Sequence, residues 1–215
     1  MKTLRLTLSN TFRQHYALLY LALFCTALLL VRAKLTHSMF YSFLIWNLFL
    51  AYLPLVVSVL MINNIKLMEK KMYFYPLLLC WLLLLPNAPY IITDFIHLKK
   101  VSTVPIWYDV LLLISFATGG ILAGLASMKH IFNIISIKSN PLLAWFSIAI
   151  TCFLSGFGIY VGRFLRYNSW DVLSQPLSLT GDLLQSFTSA TPLGITLGFG
   201  CFLLLLFHLY YTTDK

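Results

Sequence analysis

Asp94 and His97 stand three residues apart in the stretch "WLLLLPNAPYIITDFIHLKK" (81–100), where a long apolar run gives way abruptly to polar residues. A carboxylate and an imidazole at that spacing can share a proton or begin a metal site. A metal needs three or more converging ligands, and a hydrogen bond that steadies a loop would use the same two groups. Read as an α-helix, Asn87, Tyr90, Asp94 and His97 follow at steps of three, four and three and form one polar stripe. Ile91, Ile92, Phe95 and Ile96 then take the opposite, lipid-facing side. Pro86 and Pro89 bracket Asn87, so a helix arriving from the N-terminal side must kink or end there.

Two further clusters carry polar chemistry. In "VPIWYDVLLL" (104–113), Asp109 stands directly before an apolar helix, where its carboxylate is expected to cap free N–H groups at the positive end of the helix dipole. Trp107 and Tyr108 beside it are of the type that settles at a membrane interface. In "GIYVGRFLRYNSWD" (158–171), Arg163 and Arg166 are expected on one helix face, with Asn168, Trp170 and Asp171 following. Such a pair can grip a phosphate or carboxylate in forked geometry, hold anionic lipid head groups, or snorkel and pair with Asp171 or Asp94. Together these residues define a candidate polar patch of Asn87, Tyr90, Asp94, His97, Asp109, Arg163, Arg166, Asn168 and Asp171. No G-x-S-x-G, H-E-x-x-H, C-x-x-C or Walker pattern accompanies it, so no catalytic residue and no cofactor is indicated.

The elements that must position this patch follow from composition. The chain has 215 residues, of which 60% are hydrophobic and 10% charged, and its mean hydropathy is +0.87. Soluble domains carry roughly 25% charged residues, so the solvent for this chain is a lipid bilayer. No Asp, Glu, Lys or Arg occurs in 14–31, 35–65, 72–93, 110–128, 139–162 or 183–213. Roughly twenty apolar residues cross a bilayer as a helix, which predicts an all-α polytopic bundle of six spans in a single membrane domain covering 1–215. The expected spans are 15–31, 39–62, 73–92, 109–128, 142–162 and 191–211. The first, with a basic start and no small-x-small cleavage site after it, is expected to be a retained anchor rather than a signal peptide.

Lys and Arg fall unevenly about these spans. Nine of the 15, including Lys66, Lys70, Lys71, Lys129 and Lys138, lie on one side, and six, including Arg32, Lys99, Lys100, Arg163 and Arg166, on the other. The positive-inside rule then places both termini in the cytoplasm and the polar patch outside. The two long outer connections are expected to contain short interfacial helices, one of them at "DLLQSF" (182–187). Gly120 and Gly124, Gly158 and Gly162, and Gly194 and Gly198 form GxxxG steps in spans four, five and six, expected to pack helices closely or to make a homodimer face. Asn47, inside span two, is expected to hydrogen-bond a neighbouring helix. Cys25, Cys80, Cys152 and Cys201 sit singly in spans and need no redox or metal role. No basic block with interleaved aromatics suggests a nucleic-acid partner.

"LPNAPYIITDFIHL" (85–98), "WYD" (107–109) and "GRFLRYNSWD" (162–171), in this order between long apolar spans, resemble the bacterial membrane-protein family called domain of unknown function 1361. The resemblance runs from about residue 40 to the end. It implies a multi-pass protein of the bacterial cytoplasmic membrane, and it carries no activity, ligand or residue role with it. Three classes of function stay open. A binding or assembly role comes first, an enzyme acting on a lipid-linked or envelope substrate at the outer leaflet second, and a small carrier or channel subunit third, since no charge lies near a span midplane. An enzyme requires the carboxylates, His97 and the arginines to converge on one cavity open to lipid.

Overall fold

A computed structural model describes residues 2–98, 104–167, 171–174, 176–186 and 190–213. Those residues are helical with no strand among them. In chain order the helices are α1 (Lys2–Thr36), α2 (Phe43–Asn63), α3 (Ile65–Glu69), α4 (Lys71–Leu84), α5 (Asn87–Tyr90), a 3₁₀ segment (Ile91–His97), α6 (Ile106–Lys138), α7 (Pro141–Arg163), α8 (Asp171–Ser174), α9 (Pro176–Ser186) and α10 (Ala190–Thr213). Six stretches are long and apolar enough to cross a membrane: Tyr16–Thr36, Phe43–Asn63, Lys71–His97, Ile106–Lys138, Pro141–Arg163 and Ala190–Thr213.

The central helix is α6. Of its most apolar window 67% is buried, against 22–39% for the other five, so they are arranged around it. The reason lies in its residues: Gly119, Gly120, Ala123, Gly124, Ala126 and Ser127 are small and buried, and small side chains let neighbouring helices come close. The core continues to both ends of the bundle. Trp81, Met128, Phe132, Ile148 and Phe207 fill one end, and Cys25, Tyr41, Leu44, Ile91, Leu112 and Phe116 the other. Trp81 Nε1–H donates to Ser127 Oγ at 3.2 Å, which supplies the partner that a buried indole needs.

The third span breaks as its prolines dictate. α4 ends at Leu84, one turn of α5 follows Pro86, and the chain tightens into the 3₁₀ segment. Two glycine faces receive this break. A Cβ on Gly120 would stand 2.8 Å from the Ala88 carbonyl oxygen, and one on Gly124 2.8 Å from Ala88 Cβ. Across from them, a Cβ on Gly158 would stand 2.5 Å from Pro86 Cγ and one on Gly162 3.2 Å from the Tyr90 ring. The glycine steps of α6 and α7 therefore seat the interrupted segment 86–90 between them. Gly194 and Gly198 do not share this use, because a Cβ at either meets nothing within 4 Å among the described residues. The close approach of α7 and α10 falls at Gly156, whose Cβ would lie 2.7 Å from the Thr196 carbonyl oxygen, and at Gly200, which Phe153 covers.

Candidate functional site

A cavity of about 340 Å³ lies between α2 and α7, against the broken end of α4. α2 contributes Trp46, Asn47 and Leu50, α4 contributes Leu82 and Leu83, and α7 contributes Leu154, Phe157, Gly158, Val161 and Gly162. Pro86, Asn87 and Tyr90 from the break close one end, together with Tyr167 and with Leu183 of α9. The cavity is graded. Its polar lining residues are Asn47, Asn87, Tyr90 and Tyr167, while Leu50, Leu82 and Leu154 lie further from the break along α2, α4 and α7 and make that end apolar. On α7 the step from Leu154 to Gly162 spans about 12 Å at helical rise. Trp46, Leu83 and Leu154 are 55%, 37% and 47% exposed on spanning helices, so the cavity communicates with the lipid-facing flank. α9 is held above it where the Tyr167 hydroxyl donates to Asp182 Oδ2 at 2.8 Å.

Behind the polar end lies an ion pair. Arg163 donates to Asp94 through Nη2, and its Nε–H donates to Thr93 Oγ1 at 2.8 Å. Its Nη1 approaches His97 Nε2 at 3.4 Å, and the guanidinium carbon stands 4.5 Å from the centre of the Tyr90 ring. The second oxygen of Asp94 accepts from Asn47 Nδ2 at 2.7 Å. Asp94 is 1% exposed and its charge is met on both oxygens, the condition under which a buried carboxylate is tolerated. Asn47 thus makes the interhelical bond its position suggested.

A second pair joins α1 to α6. Arg32 Nε donates to Asp109 Oδ1 at 2.6 Å and Nη2 to Oδ2 at 3.2 Å, a two-pronged contact with Asp109 fully buried. The guanidinium carbon of Arg32 lies 4.3 Å from the centre of the Tyr41 ring. The Tyr41 hydroxyl donates to the His97 carbonyl oxygen at 3.0 Å, so one tyrosine links the two ion pairs. The His97 ring packs against Phe43, with centroids 5.2 Å apart.

The eight described residues of the expected patch do not all line the cavity. Asn87 and Tyr90 line the cavity, with Asn87 Nδ2 donating to the Leu84 carbonyl oxygen at 2.8 Å. Asp94, His97 and Arg163 stand behind it. Asp109 belongs to the Arg32 pair and caps nothing: α6 starts after Pro105 without a side-chain cap, and Asp109 is already inside its first turn. Arg163 and Arg166 do not share a helix face, because α7 ends at Arg163 and Arg166 lies beyond it, exposed, with φ of 61°. Asp171 opens α8, where Ser174 Oγ donates to it at 2.9 Å. Asn168, like Trp170, lies outside the described residues. Asp94 and His97 do not meet as ligands, since the Arg163 guanidinium bridges them, and no group of three His, Cys, Asp or Glu side chains gathers among the described residues.

The expected α-helical stripe is also redrawn. With three residues per turn, Ile91 aligns with Asp94 instead of opposing it, and both are buried. The same period sets Thr93 one turn from Tyr90, and Arg163 touches both. Thr93, Arg32 and Tyr41 are the contributors that spacing did not identify. The one available signal was that Arg32 and Asp109 border spans at the same membrane face with opposite charge.

Six spanning helices around a small-residue core, with a side-opening cavity backed by a buried ion pair, define an integral membrane protein with a polar-tipped pocket. The chain belongs to the family described as Protein of unknown function (DUF1361), whose model matches residues 46–206, from the cavity residue Trp46 to near the end of α10. No curated protein and no solved structure gives a significant match.

Proposed function

We propose that this protein binds an amphipathic, lipid-like molecule in the cavity between α2 and α7. The polar end of the ligand lies near Tyr90 and Asn87, and its chain lies along Leu50, Leu82 and Leu154. The observation that carries this reading is the grading of one cavity from polar to apolar along the direction of the helices, with lipid-exposed residues in its wall. Its volume of about 340 Å³ falls in the range of small-molecule sites. The excess of Lys and Arg at the opposite end of the bundle supports a site in the outer leaflet of a bacterial cytoplasmic membrane.

Binding fits the chemistry better than catalysis does. A general acid or base must reach the proton it moves. Asp94 and Asp109 have both oxygens engaged by Arg163, Asn47 and Arg32, and neither lines the cavity. A purely structural role would leave the cavity without a purpose.

The test is photolabelling in vesicles with a diazirine-bearing acyl chain, carried on either diacylglycerol or phosphatidic acid, with adducts mapped by mass spectrometry. Adducts at Leu50 and Leu82 should exceed those at the more exposed lipid-facing residues Leu19 and Leu205, and should fall in Leu154→Trp, which fills the apolar end. Labelling that simply follows exposure, unchanged by Leu154→Trp, would sink the proposal.

A further inference from the structure

Resting on the reading of the cavity as an amphiphile site, we infer that the head group it takes is uncharged and bears a hydroxyl, bound between Asn47 Oδ1 and the Tyr90 hydroxyl. The first ground is charge. Among the described residues, no Asp, Glu, Lys, Arg or His lines the cavity. Behind the lining, Arg163 and Asp94 satisfy each other, and two lining residues stand between them and the cavity; a further carboxylate beside the lining, Asp182, accepts from the Tyr167 hydroxyl. Tyr90 lies over the face of the Arg163 guanidinium, and Asn47 covers the outer oxygen of Asp94. An ion entering an apolar space without a counter-charge loses its hydration and gains nothing equivalent.

The second ground is hydrogen-bond polarity. An ionised Asp94 only accepts, so the Asn47 amide must present its N–H₂ to it and keep Oδ1 as an acceptor on the remaining side. The Tyr90 hydroxyl has no hydrogen-bond partner among the described residues, and a phenol both donates and accepts. Both residues line the same cavity, and a ligand hydroxyl has the polarity to match both, as a donor to Asn47 Oδ1 and an acceptor from Tyr90. A phosphate dianion carries only acceptors where Asn47 Oδ1 demands a donor, and its charge meets no cation among the described lining residues. A glyceride and a long-chain prenol both supply the required group.

The experiment is competition against the photoreactive diacylglycerol on purified protein in nanodiscs, using unlabelled dioleoylglycerol, a long-chain prenol and dioleoyl phosphatidic acid. Dioleoylglycerol or the prenol should displace the label, and whichever does so names the source of the hydroxyl. Phosphatidic acid, which carries the same chains, should be weaker by about tenfold or more. Tyr90→Phe keeps the ring over Arg163 and against Gly162 and removes only the hydroxyl; it should weaken displacement by about three- to tenfold, the worth of one hydrogen bond. Phosphatidic acid displacing the label as well as dioleoylglycerol would overturn the uncharged head group while leaving the amphiphile reading intact. An unchanged Tyr90→Phe overturns the assigned contact. If neither photoreactive lipid labels Leu50 or Leu82, the underlying reading falls and this inference with it.

Discussion

Arg163, in the last turn of α7, is ion-paired with Asp94, in the 3₁₀ segment that follows the broken third span, across 69 residues of sequence. The pair pins the break to the neighbouring helix and so holds the polar end of the cavity in place. Its partners Thr93 and Asn47 bring the 3₁₀ segment and α2 into the same contact.

Arg163→Met should be strongly destabilising, by about 3–5 kcal/mol, because it leaves the Asp94 charge buried with only Asn47 to meet it. The double variant Arg163→Met, Asp94→Leu removes both charges and should recover most of that loss. Thermal unfolding in detergent reads both. A double variant no better than the single one would show that the loss comes from packing and not from the uncovered carboxylate.

Tyr41 joins the two ion pairs through different parts of its side chain, which separates its contributions. Tyr41→Phe loses the hydrogen bond to the His97 carbonyl and should cost about 1 kcal/mol. Tyr41→Leu also uncovers Arg32 and should cost about 0.5–2 kcal/mol more. Equal melting temperatures for the two variants would remove the ring–guanidinium contact from the account.

The glycine pairs should respond unequally. Gly158→Ala drives a new methyl to within 2.5 Å of the Pro86 ring and should cost about 1–3 kcal/mol through overpacking. Gly194→Ala meets nothing within 4 Å among the described residues and should be neutral or stabilising by up to about 1 kcal/mol, because alanine favours helix. A marked loss of stability at Gly194 would mean that a second molecule sits on that face in the membrane.

Orientation can be read by cysteine labelling in a cysteine-free background. Leu177→Cys, on exposed α9, should react with an impermeant maleimide on intact cells. Lys70→Cys, between α3 and α4, should react only after permeabilisation. The reverse pattern would invert the topology inferred from the Lys and Arg distribution.

Several elements were legible in the order of residues. The six charge-free gaps became six spanning helices because the cost of a charge in lipid is local and can be counted along the chain. Pro86 and Pro89 announced the break because two prolines three residues apart both remove donors from one turn, whereas the single Pro54 and Pro76 stand inside α2 and α4. The glycine steps announced close approach on α6 and α7, though not what would approach.

The pairings were not legible. Arg32 meets Asp109 across 77 residues, and Arg163 meets Asp94 across 69, and nothing local chooses these partners over Asp171 or a lipid phosphate. The 3₁₀ form of Ile91–His97, which brings Thr93 to Arg163 and buries Ile91 beside Asp94, fits a segment that must match α6 on one side and α7 on the other. Sequence alone thus determined that the chain is a lipid-solvated helical bundle with an interrupted third span, since hydropathy and backbone chemistry act residue by residue. Only the tertiary structure decided that Arg163 and Asp94 neutralise each other behind the cavity, leaving the uncharged Asn47, Asn87, Tyr90 and Tyr167 as the polar residues among its described lining, because a buried charge must find whichever counter-charge the packed helices bring within reach.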